Sequence, residues 1–116
     1  MTNVLNIQGD EQVSRLMSWI LTEDGFDVIN VRDPEAASAH VRPDVIIVNT
    51  NMTVLEKCAC IDALRALVPG VGIIDLGVGA ELPQYDTGAN AYLNKPFNAA
   101  DLIERVRSLG DLTEPA

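Results

Sequence analysis

The sequence predicts a doubly wound α/β fold, in which helices cover both faces of a parallel sheet. Short apolar runs alternate with stretches of helical periodicity along the whole chain. The run at residues 45–48 contains only β-branched residues, which is typical of a strand buried on both faces. No linker rich in Gly, Ser or Pro divides the 116 residues, so we expect one domain over residues 1–110 and a frayed tail over residues 111–116.

Apolar runs predict five strands, at residues 4–7, 26–31, 45–48, 73–76 and 91–94. Apolar residues at helical spacing predict helices between and after these strands. The apolar stripe of the first helix consists of Val13, Leu16, Met17, Ile20 and Leu21. Trp19 lies beside this stripe and is expected to pack against the core. A second helix begins at Asp33-Pro34, a third covers residues 55–67, a short segment lies near residues 84–87, and Asn98 caps the last helix. Ligand sites in such folds lie beyond the carboxyl ends of the strands.

The charge balance excludes several classes of function. With 17 acidic and 8 basic side chains, the net charge is −9, and no Lys/Arg cluster suits nucleic acid or an anionic membrane. No apolar run approaches the ~20 residues of a membrane helix, and the amino terminus lacks the pattern of a secretory signal. We therefore expect a cytoplasmic protein. Cys58, Cys60 and the single His are too few for a metal site, so the cysteines are expected to fill the core without a disulfide.

Three stretches, at residues 21–28, 42–48 and 88–97, occur in the order and spacing of a known family. The third, which reads GANAYLNKPF, is the most specific. Together they resemble the receiver domain of response regulators, the phospho-acceptor module of two-component signalling, from about Val4 to Leu109. The resemblance implies a flavodoxin-like five-stranded sheet with the strand order 2-1-3-4-5.

The resemblance also implies a phosphoryl-transfer site, but the chain departs from the family pattern there. In the family, an aspartate ending the third strand accepts the phosphoryl group, and an acidic pair after the first strand holds Mg²⁺. Here Asn49 stands at the acceptor position, and Gln8 and Gly9 stand at the acidic pair, with Asp10 one residue late. A carboxamide carries no charge and cannot form an acyl phosphate, so we expect no phosphorylation at Asn49 and a weak or absent Mg²⁺ site.

Two further pocket positions give a mixed result. Gly77 stands where the family has a Ser or Thr, and so brings no hydroxyl. Lys95 and Pro96 are retained, and we expect Lys95 to pair with Asp10, Asp75 or the amide oxygen of Asn49. Tyr92 matches the aromatic position of the face where the family meets partners.

Asp75 is unexpected because it interrupts an apolar strand. One interpretation is a buried acid with a raised pKa that could replace the lost site. The other, which we favour, is that Asp75 lies near the open end of its strand and pairs with Lys95 or solvent.

The function predicted from these residues is that of an atypical receiver, a pseudo-receiver that signals by protein contact. No catalytic residue or cofactor is expected, and the protein is not predicted to be an enzyme. Its partner would be a histidine kinase, another regulator or an effector, or a second copy, and not nucleic acid or a membrane. One alternative is a receiver still regulated by Mg²⁺, a small ligand or a rearranged carboxylate at Asp10 or Asp75. Another is a small flavodoxin-like enzyme or cofactor carrier.

Overall fold

Five parallel strands form a single sheet. They are β1 (Asn3–Gln8), β2 (Asp27–Val31), β3 (Val45–Asn49), β4 (Gly72–Val78) and β5 (Ala91–Lys95). Their order across the sheet is β2-β1-β3-β4-β5, as predicted. The computed structural model describes residues 2–8, 11–32, 43–49, 54–78, 88–95 and 98–113.

Three helices occur in the described residues: α1 (Glu11–Glu23), α2 (Val54–Leu67) and α3 (Ala99–Thr113). The helix predicted from Asp33-Pro34 and the segment near residues 84–87 lie outside the described residues. α3 begins as predicted, with the backbone N–H of Asp101 donating to Asn98 Oδ1 at 2.8 Å. Its end is later than predicted, because residues 111–113 continue the helix rather than starting the tail.

The core has one apolar layer on each face of the sheet, because successive strand residues point to opposite faces. One layer packs α1 and α3 against the sheet; its fully buried members include Met17, Leu21, Val45, Ile47, Ile74, Leu102 and Val106. The other packs α2 against the opposite face, with Ile7, Ile46, Val48, Ile61 and Ile73 fully buried. Each such side chain contributes about 1.5–3 kcal/mol through burial.

The end of α1 shows how the sequence stops a helix. Gly25 has a φ of 92°, a conformation that favours glycine. Its N–H donates to the carbonyl oxygen of Thr22 at 3.0 Å, and the N–H of Phe26 donates to that of Leu21 at 3.1 Å. This is the Schellman pattern, which satisfies carbonyl groups left over at a helix end and turns the chain into β2.

The predicted packing of Trp19 and Leu16 on α1 is wrong. Trp19 is 64% exposed and Leu16 is 54% exposed. The side chains that α1 buries, Ser14, Met17 and Leu21, form a single narrow row. Leu16 and Trp19 lie 100° or more around the helix from Met17, at ~100° per residue, so they face away from the sheet.

Two other expectations concerned the cysteines and membrane-spanning helices. Cys58 and Cys60 form no disulfide, as predicted, but both are only half-buried on α2 rather than core residues. None of the helices in the described segments has the length and hydropathy needed to cross a membrane.

Candidate functional site

The carboxyl ends of four strands meet at one edge of the sheet, and the strand register fixes which residues share it. Gln8 is paired with Asn49 between β1 and β3. Between β4 and β5, Gly77 is paired with Asn94, and Val78 with Lys95. The pairing therefore brings the expected pocket positions on β1, β3, β4 and β5 to the same edge.

Amides stand at this edge where carboxylates are expected for phosphoryl transfer. Gln8 is the last residue of β1 and is only 5% exposed. Asn49 is the last residue of β3. Gly9, Asp10 and Pro96, the other predicted pocket positions, lie outside the described residues. Within the described segments, no group of three or more His, Cys, Asp or Glu is placed to hold a metal ion.

A buried ion pair lies beneath this edge, on the α2 face of the sheet. Asp75 on β4 is fully buried, and its Oδ1 is 2.8 Å from Nζ of Lys57 on α2. The Lys57 side chain is 11% exposed, and its Nζ also donates to the carbonyl oxygen of Leu76 at 3.5 Å. The pair joins the first turns of α2 to β4.

The expectation that Asp75 lies near the open end of its strand, against solvent, is wrong. The sequence predicted that the strand ends at residue 76, whereas β4 continues to Val78. Asp75 is therefore an interior strand residue, paired in register with Val48 on one side and Tyr92 on the other.

Lys57 is the residue that sequence reasoning missed. It precedes the fully buried Ile61 by four residues and the buried Leu64 by seven, so it lies on the buried stripe of α2. A lysine on such a stripe and an aspartate inside an apolar strand each need a partner of opposite charge. Their joint occurrence was the signal that could have predicted the pair.

Tyr92 is half-buried on β5. It shares its position along the strands with Asp75. The role of Tyr92 as a contact for partners stays a prediction.

Comparison with curated proteins finds regulators of transcription and signalling. The chain is 32% identical over 113 residues to the transcriptional regulatory protein PrrA of Mycobacterium leprae. It is 30% identical over 121 residues to the sensory transduction protein RegX3 of Mycobacterium bovis. These alignments cover 91% and 94% of this chain, but it spans only about half of the relatives, 48% and 51%. No protein-family model matches it.

Comparison with solved structures gives the same fold. The receiver domain of the Francisella response regulator 1452 superposes on this chain with a TM-score of 0.82 and is 25% identical to it. The superposition covers 98% of this chain and 100% of the Francisella domain. This chain has the fold of a response-regulator receiver domain. The receiver domain of a Syntrophus aciditrophicus histidine kinase, at 20% identity, adds support for the fold alone, with a TM-score of 0.85 over 100% of this chain and 95% of that one.

The relatives bear on the expectations about partners and activity. Receiver domains interact with histidine kinases and other signalling proteins, and the relatives are signalling proteins rather than enzymes. A further relative, from Synechocystis and 29% identical, is a DNA-binding dual master transcriptional regulator. The expectation that this protein has no nucleic-acid partner is therefore not confirmed.

Proposed function

We propose that this receiver domain is a pseudo-receiver, which signals through protein contact without phosphorylation of Asn49. The observation that carries the proposal is the amide at the end of β3. A phospho-acceptor attacks with a carboxylate and stores the phosphoryl group as an acyl phosphate. The carboxamide of Asn49 has no negative charge and no oxygen that can form this bond.

Mg²⁺ also fits poorly at this edge, so we propose that the domain works without it. Mg²⁺ is generally held by one or two carboxylates together with phosphate oxygens. Gln8 offers an amide at the end of β1, where the family has an acid. Asp75 does not replace that acid, because it is fully buried and 2.8 Å from the ammonium group of Lys57.

The test is an amide NMR spectrum of the whole chain with and without Mg²⁺ and beryllofluoride, a mimic of the phosphoryl group. We expect no shifts at residues 8–10, 49, 77 and 95. The positive control is the triple variant Gln8→Asp/Gly9→Asp/Asn49→Asp, which rebuilds the acids and should regain Mg²⁺-dependent shifts. Clear shifts in the unsubstituted chain would overturn the proposal and favour the alternative of a rearranged acidic site at Asp10.

Restoring the acceptor alone should not restore phosphorylation. In Asn49→Asp, the nucleophile returns, but no acid stands at Gln8 or Gly9 and no hydroxyl at Gly77 to stabilise the transferred group. Intact-protein mass spectrometry after incubation with acetyl phosphate and Mg²⁺ should show no added phosphoryl group. A stoichiometric mass increase would mean that one carboxylate is sufficient and that the other losses matter little.

A contact surface for a signalling partner is offered by α1. Its exposed Trp19 and Leu16 lie one helical turn apart and face away from the core. Leu16→Glu with Trp19→Glu should abolish binding to a partner histidine kinase or regulator identified by affinity capture. Leu55→Glu on α2, at a side chain that is also exposed, is the matched control and should bind normally. Equal binding by all forms would remove α1 from the interface.

A further inference from the structure

A cavity of about 290 Å³ opens at the carboxyl edge of β1 and β2, beside the first turn of α1. Its lining consists of Gln8, Glu11, Ser14, Asn30, Val31 and Arg32. All but one of these residues carry a polar or charged side chain. The cavity belongs to the β1–β2 half of the sheet, and Asn49 on β3 is not part of its lining.

Polar groups are built into this cavity rather than scattered on the surface. Gln8 and Ser14 are both more than nine-tenths buried, at 5% and 8% exposure. On β2, Asn30 accepts a hydrogen bond through Oδ1 from Nδ2 of the buried Asn6, at 3.1 Å. That bond uses the acceptor end of Asn30, so its remaining hydrogen-bonding group is the NH₂ donor.

Two charged residues, Glu11 and Arg32, line the cavity. Glu11 forms an exposed ion pair with Arg15 at 3.5 Å, which weakens its repulsion of a nearby anion. Arg32 has no ion pair within the described segments. It is the second residue after Asn30 in the chain, and both line the cavity. Arg32, Asn30 and Ser14, which carry a guanidinium, an amide and a hydroxyl, therefore border the same cavity.

We propose that this cavity binds a small metabolite that carries an oxyanion, either a carboxylate or a phosphate group. The oxyanion accepts hydrogen bonds from Arg32 and Asn30. The bond from Arg32 is the stronger of the two, because both of its partners are charged. Ser14 and Gln8 contact the polar body of the ligand. The volume is at the lower limit of the ~300–1,000 Å³ of small-molecule sites, which restricts the ligand to a small one. This site is independent of the proposed function, because it needs neither Mg²⁺ nor a phospho-acceptor.

The test is an amide NMR titration of the whole chain with inorganic phosphate and, separately, with succinate, both without Mg²⁺ and at constant ionic strength. We expect saturable shifts confined to Gln8, Ser14 and residues 30–32 for at least one probe. The net charge of −9 keeps non-specific anion binding low, so a localised response is informative. A response to phosphate alone assigns a phosphate ligand, and a response to succinate alone assigns a carboxylate ligand.

Variants decide whether the cavity is responsible. Arg32→Gln should raise the dissociation constant about tenfold or more, as expected for loss of a charge-assisted hydrogen bond. Ser14→Val, which fills the cavity and removes the hydroxyl, should also weaken binding. Arg105→Gln on α3 removes the same charge from an exposed arginine elsewhere and should bind normally.

Three results would overturn the proposal. The first is the absence of a saturable shift with either probe up to about 50 mM, which is well above the millimolar range of weak specific binding. The others are shifts centred on residues 49 and 95, or a weakening of binding by Arg105→Gln equal to that by Arg32→Gln. Failure of the pseudo-receiver proposal is distinguished by Mg²⁺-dependent shifts at residues 49, 77 and 95, none of which lines this cavity.

Discussion

The stability of the protein depends on keeping both charges of the pair buried between α2 and β4, Lys57 and Asp75. The attraction between Lys57 and Asp75 at 2.8 Å offsets the loss of hydration that burial imposes on both. Such a pair contributes little net stability compared with two apolar residues of similar volume. Removal of one partner, in contrast, leaves a buried charge without its counter-ion.

Substitution of Lys57 by Met should lower the free energy of unfolding by about 3–5 kcal/mol, because Asp75 then loses its ammonium partner. Urea denaturation measures the change. The double variant Lys57→Met/Asp75→Leu should recover most of the loss, since it removes both charges. A single variant that is within about 1 kcal/mol of the unsubstituted protein would show that other groups satisfy Asp75.

Gly72 is required by close packing rather than by its backbone conformation. A Cβ atom added at Gly72 would lie 2.8 Å from Cβ of Leu109 on α3. Gly72→Ala should therefore destabilise the protein by about 1–3 kcal/mol, because α3 must move away from β4. Thermal denaturation tests this. Adding Leu109→Ala should not restore the stability of Gly72→Ala, because alanine at residue 109 keeps the Cβ atom that clashes. If stability is restored, the clash involves the outer atoms of the Leu109 side chain instead.

At the scale of elements, a polar network ties α2 to the amino ends of β4 and β5. Arg65 near the end of α2 donates to the carbonyl oxygens of Gly88 at 2.7 Å and Val71 at 3.4 Å, and to Asn90 Oδ1 at 3.0 Å. Asn90 Oδ1 also accepts from the backbone N–H of Ile73 at 3.0 Å. The network fixes the edge of the sheet opposite the candidate site.

Asn90→Leu should destabilise the protein by about 1–3 kcal/mol, because the N–H of the buried Ile73 loses its acceptor. Asn90→Asp is the matched control: it keeps an oxygen for both donors and adds a charge next to Arg65, so stability should be retained. Hydrogen exchange at the Ile73 amide reports the effect directly. Unchanged protection in Asn90→Leu would mean that another group accepts this hydrogen bond.

Element positions were largely predictable from the sequence, whereas side-chain burial on helices was not. Strands and caps follow from local signals, such as the β-branched run at residues 45–48 and the side chain of Asn98. The burial of a helix side chain depends on where the helix touches the sheet. The apolar periodicity of α1 includes Leu16, but its contact row is narrower than its apolar stripe.

The candidate site could be placed from the sequence for a different reason. Parallel strands bring their carboxyl ends to a common edge, so the predicted strand order already implied that Gln8 and Asn49 are neighbours. The pairing of Lys57 with Asp75 could not be derived in that way. It depends on the rotation of α2 over β4, which local periodicity does not specify.

The whole molecule carries a net charge of −9, so its charges repel one another on average in the compact state. The Debye length falls from about 30 Å at 0.01 M salt to about 8 Å at 0.15 M. The free energy of unfolding in urea should therefore rise over this range by a fraction of a kcal/mol. An uncharged solute at equal osmolality is the control. A fall in stability would show that exposed ion pairs, such as that of Arg107 with Asp24, outweigh the repulsion.

The buried pair also constrains how this sequence can change over generations. A lineage that loses either Lys57 or Asp75 first must pass through a less stable protein, since the loss of about 3–5 kcal/mol is a large part of the about 5–15 kcal/mol by which such domains are stable. The two positions should therefore be inherited as a unit. Descendants are expected to keep both charges or to have exchanged both, and intermediates with one charge should be short-lived.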